Sequence, residues 1–151
     1  MMIDRQLIPL TLLHASNEQE IEGRTRLQKM VFLIQQEFEE RGEDLPGTYQ
    51  YEPYDYGPFA KTLYDDIEYL EERDIIDESK ETIAEEDGKV KYNYELGPRG
   101  EEILQEWPEE QVEIVLEVAE RIKSDFNDIP LLTLLDHVYS EYPKYAENSV
   151  L

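Results

Sequence analysis

The clearest periodicity lies between Thr25 and Phe38, where Leu27, Met30, Val31, Ile34 and Phe38 fall at i, i+3, i+4, i+7 and i+11, one apolar stripe of a helix. Thr25 is the expected cap and "RGEDLPG" the expected end. Upstream, Leu7, Ile8, Leu10, Leu12 and Leu13 crowd residues 4–15, with Pro9 early enough to be tolerated, so a short buried helix is predicted there. Phe59, Leu63, Ile67 and Leu70 predict a third helix, opened by Gly57 and Pro58 and running to about Arg73, with Phe59 and Leu63 facing the core. Between the last two, Tyr49 and Tyr51 alternate as in a short strand until Pro53 stops it. Residues 81–96 carry the strongest β pattern. Val90, Tyr92, Tyr94 and Leu96 share one face, Lys89, Lys91, Asn93 and Glu95 the other, and "EDGK" is the two-residue hairpin turn. Beyond "GPRG", Ile103 and Leu104 lead a short helix to Trp107. Pro108 and Pro130 open two more, striped by Val112, Val115, Leu116, Ala119 and Ile122 and by Leu131, Leu134, Leu135 and Val138.

The predicted order is helix, helix, strand, helix, hairpin, helices. It describes a mainly α chain with a small β-hairpin (α+β): a winged-helix-like domain with a helical C-terminal extension, in which the third helix is the recognition element and the hairpin the wing. With 151 residues and no linker, one domain over 1–151 is expected, with a winged-helix-like core at 4–96 and the extension at 98–151 packed on it.

Charge changes the picture more than composition does. Thirty-seven Asp and Glu against 14 Lys and Arg give a formal charge of -23. Disorder does not account for it, because 40% of residues are apolar and regularly spaced. Mimicry of DNA and adaptation to molar salt remain. In molar salt the Debye length falls to about 3 Å and carboxylates stop repelling one another. Acid spread through every segment favours salt adaptation, and with it a halophilic archaeal cytoplasm. The start "MMIDRQLIPLTLLHAS" has an early Asp4 and no basic flank, so neither a leader nor a membrane span is expected and the cytoplasm is the expected compartment.

Candidate chemistry is sparse. The absence of cysteine removes disulfides, thiolate zinc sites and cysteine nucleophiles together. His14 and His137 sit on separate apolar helices as core-edge histidines, with no HExxH, GxSxG, Walker A or GxGxxG anywhere. "ESK" at 78–80, beside an expected helix end, lacks the preceding strand acid of a nuclease. "DFND" at 125–128 lacks the glycine and distal glutamate of a calcium loop. The expectation is therefore no catalytic residue, no cofactor, no metal and no enzyme.

Basic and aromatic residues are more informative. "RTRLQK" places Arg24, Arg26 and Lys29, with Gln28 between, at a helix start where cations oppose the macrodipole. They would meet phosphate, internal carboxylates or a partner. Tyr49, Tyr51, Tyr54, Tyr56 and Tyr64 fall within sixteen residues. Single-strand binders set such rings in a basic groove, whereas here the neighbours are Glu52, Asp55, Asp65 and Asp66. The stretch is therefore read as part core and part interaction rim, to which tyrosine is suited.

Taken together, "GRTRLQKMVFLIQ", "YDYGPFAKTLYDDIEYL", "YELGPRG" and "LLDHVYSEYPKYAENS" resemble the YwgA-like family of small bacterial and archaeal proteins over about residues 20–149. More distantly, the first two strings resemble the Panacea, or SocA-like, antitoxin domain, with its "LQK" helix and "YGP" turn. The resemblance implies a largely helical, winged-helix-like domain without catalysis, whose antitoxin branch binds proteins as toxin neutraliser or protease adaptor. On this reading the chain is a non-catalytic regulatory protein-interaction module of antitoxin or adaptor type. Its partner is a toxin, a protease or another regulator, met through Arg24, Arg26, Gln28, Lys29, Tyr49, Tyr51, Tyr54, Tyr56, Lys61 and Tyr64. Two alternatives stay open. One is a winged-helix DNA-binding transcriptional regulator, a homodimer contacting DNA through Lys61, Lys89 and Lys91, although Asp65, Asp66, Glu68, Glu71 and Glu72 oppose phosphate there. The other is an acidic DNA mimic.

Overall fold

The structure, a computed structural model, describes residues 2–84 and 89–151, with the side chains of 83, 84 and 89 left aside. A 3-10 turn at Asp4–Gln6 leads into α1 (Leu7–Glu18), in which Leu7, Ile8, Leu10, Leu12 and Leu13 are all fully buried. A helix apolar on every side has to be surrounded, and α1 is packed against α5 (Glu109–Phe126), α2 (Arg24–Arg41) and α4 (Gly100–Leu104). The backbone turns left-handed at Ser16, Asn17 and Glu18. Lys123 of α5 secures the break, donating Nζ to the carbonyls of Leu13 (3.2 Å) and Ala15 (2.8 Å).

In α2 the apolar stripe is buried as expected, with Leu27, Met30, Val31, Ile34 and Phe38 at 2% exposure or less. Its start lies earlier than the spacing predicts: Gly23, not Thr25, occupies the cap position. Gly42 closes the helix in the left-handed region (φ 68°), its N–H returning to the carbonyls of Glu39 and Phe38.

The sheet is antiparallel, three-stranded and ordered β1-β5-β4, formed by β1 (Ile21–Glu22), β4 (Ile76–Ala84) and β5 (Lys89–Leu96). Ile21 pairs with Tyr94 and Glu22 with Asn93, and the Gly23 N–H continues the ladder to the Tyr92 carbonyl at 2.6 Å. On the other edge β4 runs from Ile76 opposite Leu96, so the strand begins several residues before the "ETIAE" predicted and absorbs "ESK", which is strand rather than helix end. The hairpin tip inferred from "EDGK" falls mostly within 85–88, outside the described residues.

A separate two-stranded ribbon, β2 (Glu52–Tyr54) and β3 (Gly57–Phe59), replaces the strand expected at Tyr49–Tyr51. Pro53 faces Pro58, a pair that needs no N–H. Gly57 has φ 92°, and a Cβ there would lie 2.9 Å from Tyr139 Cε1, so only glycine fits. Because β3 occupies Gly57–Phe59, α3 starts at Lys61 and runs to Glu72, shorter than predicted. α6 (Leu131–Glu141) and a 3-10 turn at Pro143–Ala146 pack beside the ribbon, and the Val150 N–H donates to the Asp55 carbonyl at 2.9 Å. The chain is mainly α with a small antiparallel β part, and no helix of the described residues is long and apolar enough to cross a membrane.

Candidate interaction surface

The residues singled out at the start of α2 separate into two groups. Arg26, Gln28 and Lys29 are 9%, 0% and 3% exposed and face inward. Gln28 clamps the entry of α3: its Nε2 donates to the Ala60 carbonyl (2.8 Å) and its Oε1 accepts from the Ala60 N–H (3.2 Å). Lys29 donates Nζ to the Pro58 carbonyl (2.9 Å), fixing the ribbon to α2, and burial draws its pKa down to about 8. Arg26 donates Nη1 to the Phe126 carbonyl at 2.7 Å. These three are corrected from partner contacts to internal struts, because each satisfies a backbone group that the fold buries. Only Arg24 of this cluster is exposed.

Tyr49 also belongs to the interior. Its hydroxyl donates to Asp66 Oδ2 (2.7 Å), while Arg5 grips the same carboxylate through Nε (2.7 Å) and Nη2 (3.0 Å). Burial, reinforced by Asp66, pushes the Tyr49 hydroxyl well above the usual phenol range. Asp66, expected among the exposed acids of α3, is thus a buried anchor for the N-terminal turn. Tyr51 is half-buried, donating to the Gln28 carbonyl at 3.3 Å and meeting Phe32 edge-on.

What remains outside forms a continuous line. Tyr54 and Tyr56 are 51% and 46% exposed on the ribbon. Tyr54 stacks on Phe59 (centroids 5.0 Å), and Phe59 meets Tyr64 of α3 edge-on (5.4 Å). Arg24 lies over Tyr64 (5.7 Å) and more closely over Tyr92 of β5 (3.6 Å), with Nε donating to the Tyr94 hydroxyl at 3.3 Å. An aromatic ladder therefore crosses from the ribbon over α3 to the sheet and ends on one guanidinium. Arg24 also borders a cleft of about 460 Å3 shared with Tyr64, Glu68, Glu71, Glu72 and Glu78. One cation faces four carboxylates, so the cleft is acidic. Sequence reading missed Phe59, Tyr92 and Tyr94 in this setting, since each fits a core stripe equally well. Only the fold, which sets Phe59 between Tyr54 and Tyr64 and brings Tyr92 and Tyr94 to Arg24, reveals the ladder.

Of the lysines weighed for DNA, Lys61 Nζ pairs with Asp65 (3.3 Å) and Lys91 Nζ with Glu22 (2.9 Å). The Lys89 side chain lies outside the described residues. His137 packs on Phe126 (4.8 Å), as a core-edge histidine should. His14 does more: with Glu18 and Glu101 it places three potential ligand atoms within 4.8 Å of one another. Glu101 holds the Glu18 carboxyl above its usual range by hydrogen bonding, and burial adds to this. His14 and Glu18 are four residues apart on α1, and only the distance of Glu101 along the chain hides the set from sequence spacing.

The described residues thus form a mostly helical chain with a partly exposed aromatic line beside an acidic cleft. The chain belongs to the antitoxin SocA-like, Panacea domain family, whose model matches residues 27–149. Neither the curated proteins nor the solved structures contain a match.

Proposed function

We propose that the chain is a non-catalytic, antitoxin-type or adaptor-type regulator that holds a protein partner against the aromatic ladder and the acidic cleft beside it. The observation that carries this reading is the run Tyr54–Phe59–Tyr64–Arg24–Tyr92, in which stacked rings stay partly exposed next to four carboxylates. Such rings contribute large contact area at low entropic cost, and the carboxylates select a basic partner such as a toxin, protease or regulator. The contact set is then Arg24, Tyr54, Tyr56, Lys61 and Tyr64. A halophilic cytoplasm accounts for the spread of acid, and residues 98–151 act as a helical extension on a core at 4–96.

The test is a pull-down in molar KCl after nuclease treatment, comparing the native chain with Tyr54→Ala/Tyr56→Ala. Both rings are about half exposed, so the double variant is expected to melt within a few degrees of the parent yet lose its stoichiometric protein partner. Unchanged capture would remove the ladder from the interface.

A second reading keeps one supporting observation. Helix, strand, helix, two-stranded ribbon, helix, hairpin, with the sheet ordered β1-β5-β4, supports a winged-helix reading once the ribbon is set aside as an insertion. Discrete DNA recovered without a protein would favour it. Against it stand the exposed acids of α3 and the pairing of Lys61 and Lys91 within the chain.

A further inference from the structure

At the end of α1, the left-handed break over Ser16, Asn17 and Glu18 sets Glu18 beside His14, with Nδ1 3.3 Å from Oε2. Glu101, in the first turn of α4, completes a set of three potential ligand atoms that all lie within 4.8 Å of one another. These atoms can be reached from outside. The His14 and Glu18 side chains are 32% and 37% exposed, Glu101 is exposed, and His14 and Glu101 line a cavity of about 630 Å3 whose apolar wall includes Leu104, Trp107 and Val112. Among the described residues no Lys or Arg forms an ion pair with Glu18 or Glu101. Lys123 lies within electrostatic reach of Glu18, but its Nζ donates to the carbonyls of Leu13 and Ala15. Two carboxylates and an imidazole nitrogen therefore converge without a cation of the chain between them. The 3.3 Å from His14 to Glu18 is long for a hydrogen bond, whose usual N···O range is about 2.7–3.2 Å. It matches the edge of a tetrahedron, about 3.3–3.4 Å when ligands stand about 2.0–2.1 Å from a central ion.

We propose that His14 Nδ1, Glu18 and Glu101 bind one borderline divalent metal ion, of which Zn2+ is the type, with water in the position open to the cavity. A nitrogen donor beside two carboxylates suits zinc, cobalt or nickel, whereas calcium and magnesium prefer sets made of oxygen alone. Three protein ligands with a further position left to water is a composition that zinc accepts. The ion offsets the repulsion between Glu18 and Glu101 and joins the end of α1 to the start of α4, two segments far apart in the chain. A chain of formal charge -23 attracts any cation loosely; the imidazole nitrogen is what separates this site from that background. The site shares no residue with the aromatic ladder, so it goes beyond the protein-binding reading and is tested without a partner.

The test is a titration of the chelator-treated full-length chain with Co2+ and then Zn2+, near neutral pH in molar KCl. Trp107, the single tryptophan, lines the same cavity, so Co2+ is expected to quench its fluorescence saturably at one ion per chain. Zn2+ should displace Co2+, restore the fluorescence and raise the melting temperature, and Mg2+ at the same concentration should do none of these. His14→Gln and Glu101→Gln, both at accessible side chains, should each weaken binding about tenfold or more. Glu109→Gln, which removes a charge from the same cavity outside the ligand set, should leave the affinity unchanged. Metal-free melting temperatures close to that of the parent establish that the variants fold. Quenching that does not saturate, Mg2+ competing as well as Zn2+, or equal weakening by Glu109→Gln assigns the ions to the diffuse acidic surface and overturns the proposal, as does an absence of binding.

Discussion

Gln28 has a role that composition hides. A glutamine on the apolar side of α2 looks like a misplaced polar residue, yet its amide answers both backbone groups of Ala60, just where α3 begins. Gln28→Leu keeps the volume roughly and orphans the Ala60 N–H, while the Ala60 carbonyl keeps the Leu63 N–H at 3.1 Å, which at about 1–3 kcal/mol for a buried unsatisfied group predicts a loss of roughly 1–3 kcal/mol. Urea denaturation in molar KCl reads it directly, and a loss below about 1 kcal/mol means the clamp is not structural. Lys29 and Lys123 make a pH prediction. Burial is the main cause in both of a folded pKa near 8 against an ordinary 10.5, with Glu120 and Glu18 offsetting part of it for Lys123. Between those values the unfolded chain binds more protons, so stability should rise with pH from 8 towards 10. Above about 10 the sign reverses: Tyr49 and Tyr51, held protonated by burial, keep protons that the unfolded chain gives up. Denaturation midpoints across pH 7.5–11 test this, and Lys29→Met should remove a large part of the rise.

At the scale of elements, stripes were easier to read than joints. The apolar faces of α2, α5 and α6 lie where their 3.6-residue spacing puts them, because burial of one helix face is a local pattern, except that Leu131 in the first turn of α6 is 38% exposed. The ribbon was not legible. Pro53 and Pro58 signal breaks, and nothing in "YEPYDYGPF" says that the two prolines will face each other across a turn held by Lys29 from α2. The same non-locality misled the site assignment. Arg26, Gln28, Lys29 and Tyr49 are polar residues in an aromatic, basic stretch, and only the tertiary fold shows that each has an internal partner. Arg24, Tyr54 and Tyr56 are exposed and Tyr64 is half-buried, and there the ladder adds Phe59 and Tyr92, which periodicity had assigned to the core.

For the whole molecule, charge is the governing quantity. Among described side chains several acids are neutralised within the fold, Asp66 by Arg5 and Glu37 by both Arg41 and Arg121, but a formal charge of -23 leaves most unpaired. Raising KCl from tens of millimolar to molar should therefore increase the melting temperature steadily, since screening within a Debye length of about 3 Å removes the repulsion. Sodium chloride should act alike at equal ionic strength. A melting temperature independent of salt would detach the acidity from salt adaptation and leave recognition of a basic partner as its cause.

The short strand β1 has a kinetic meaning. Ile21 must find Tyr94 across most of the first hundred residues of chain, so its two-residue ladder carries a large closure entropy for few hydrogen bonds. Contacts of that kind form late and open first. In native-state hydrogen exchange the amide of Gly23, bonded to the Tyr92 carbonyl, should lose protection well ahead of the β4–β5 amides, detaching the head of α2, and Arg24 with it, while the rest of the core stays closed.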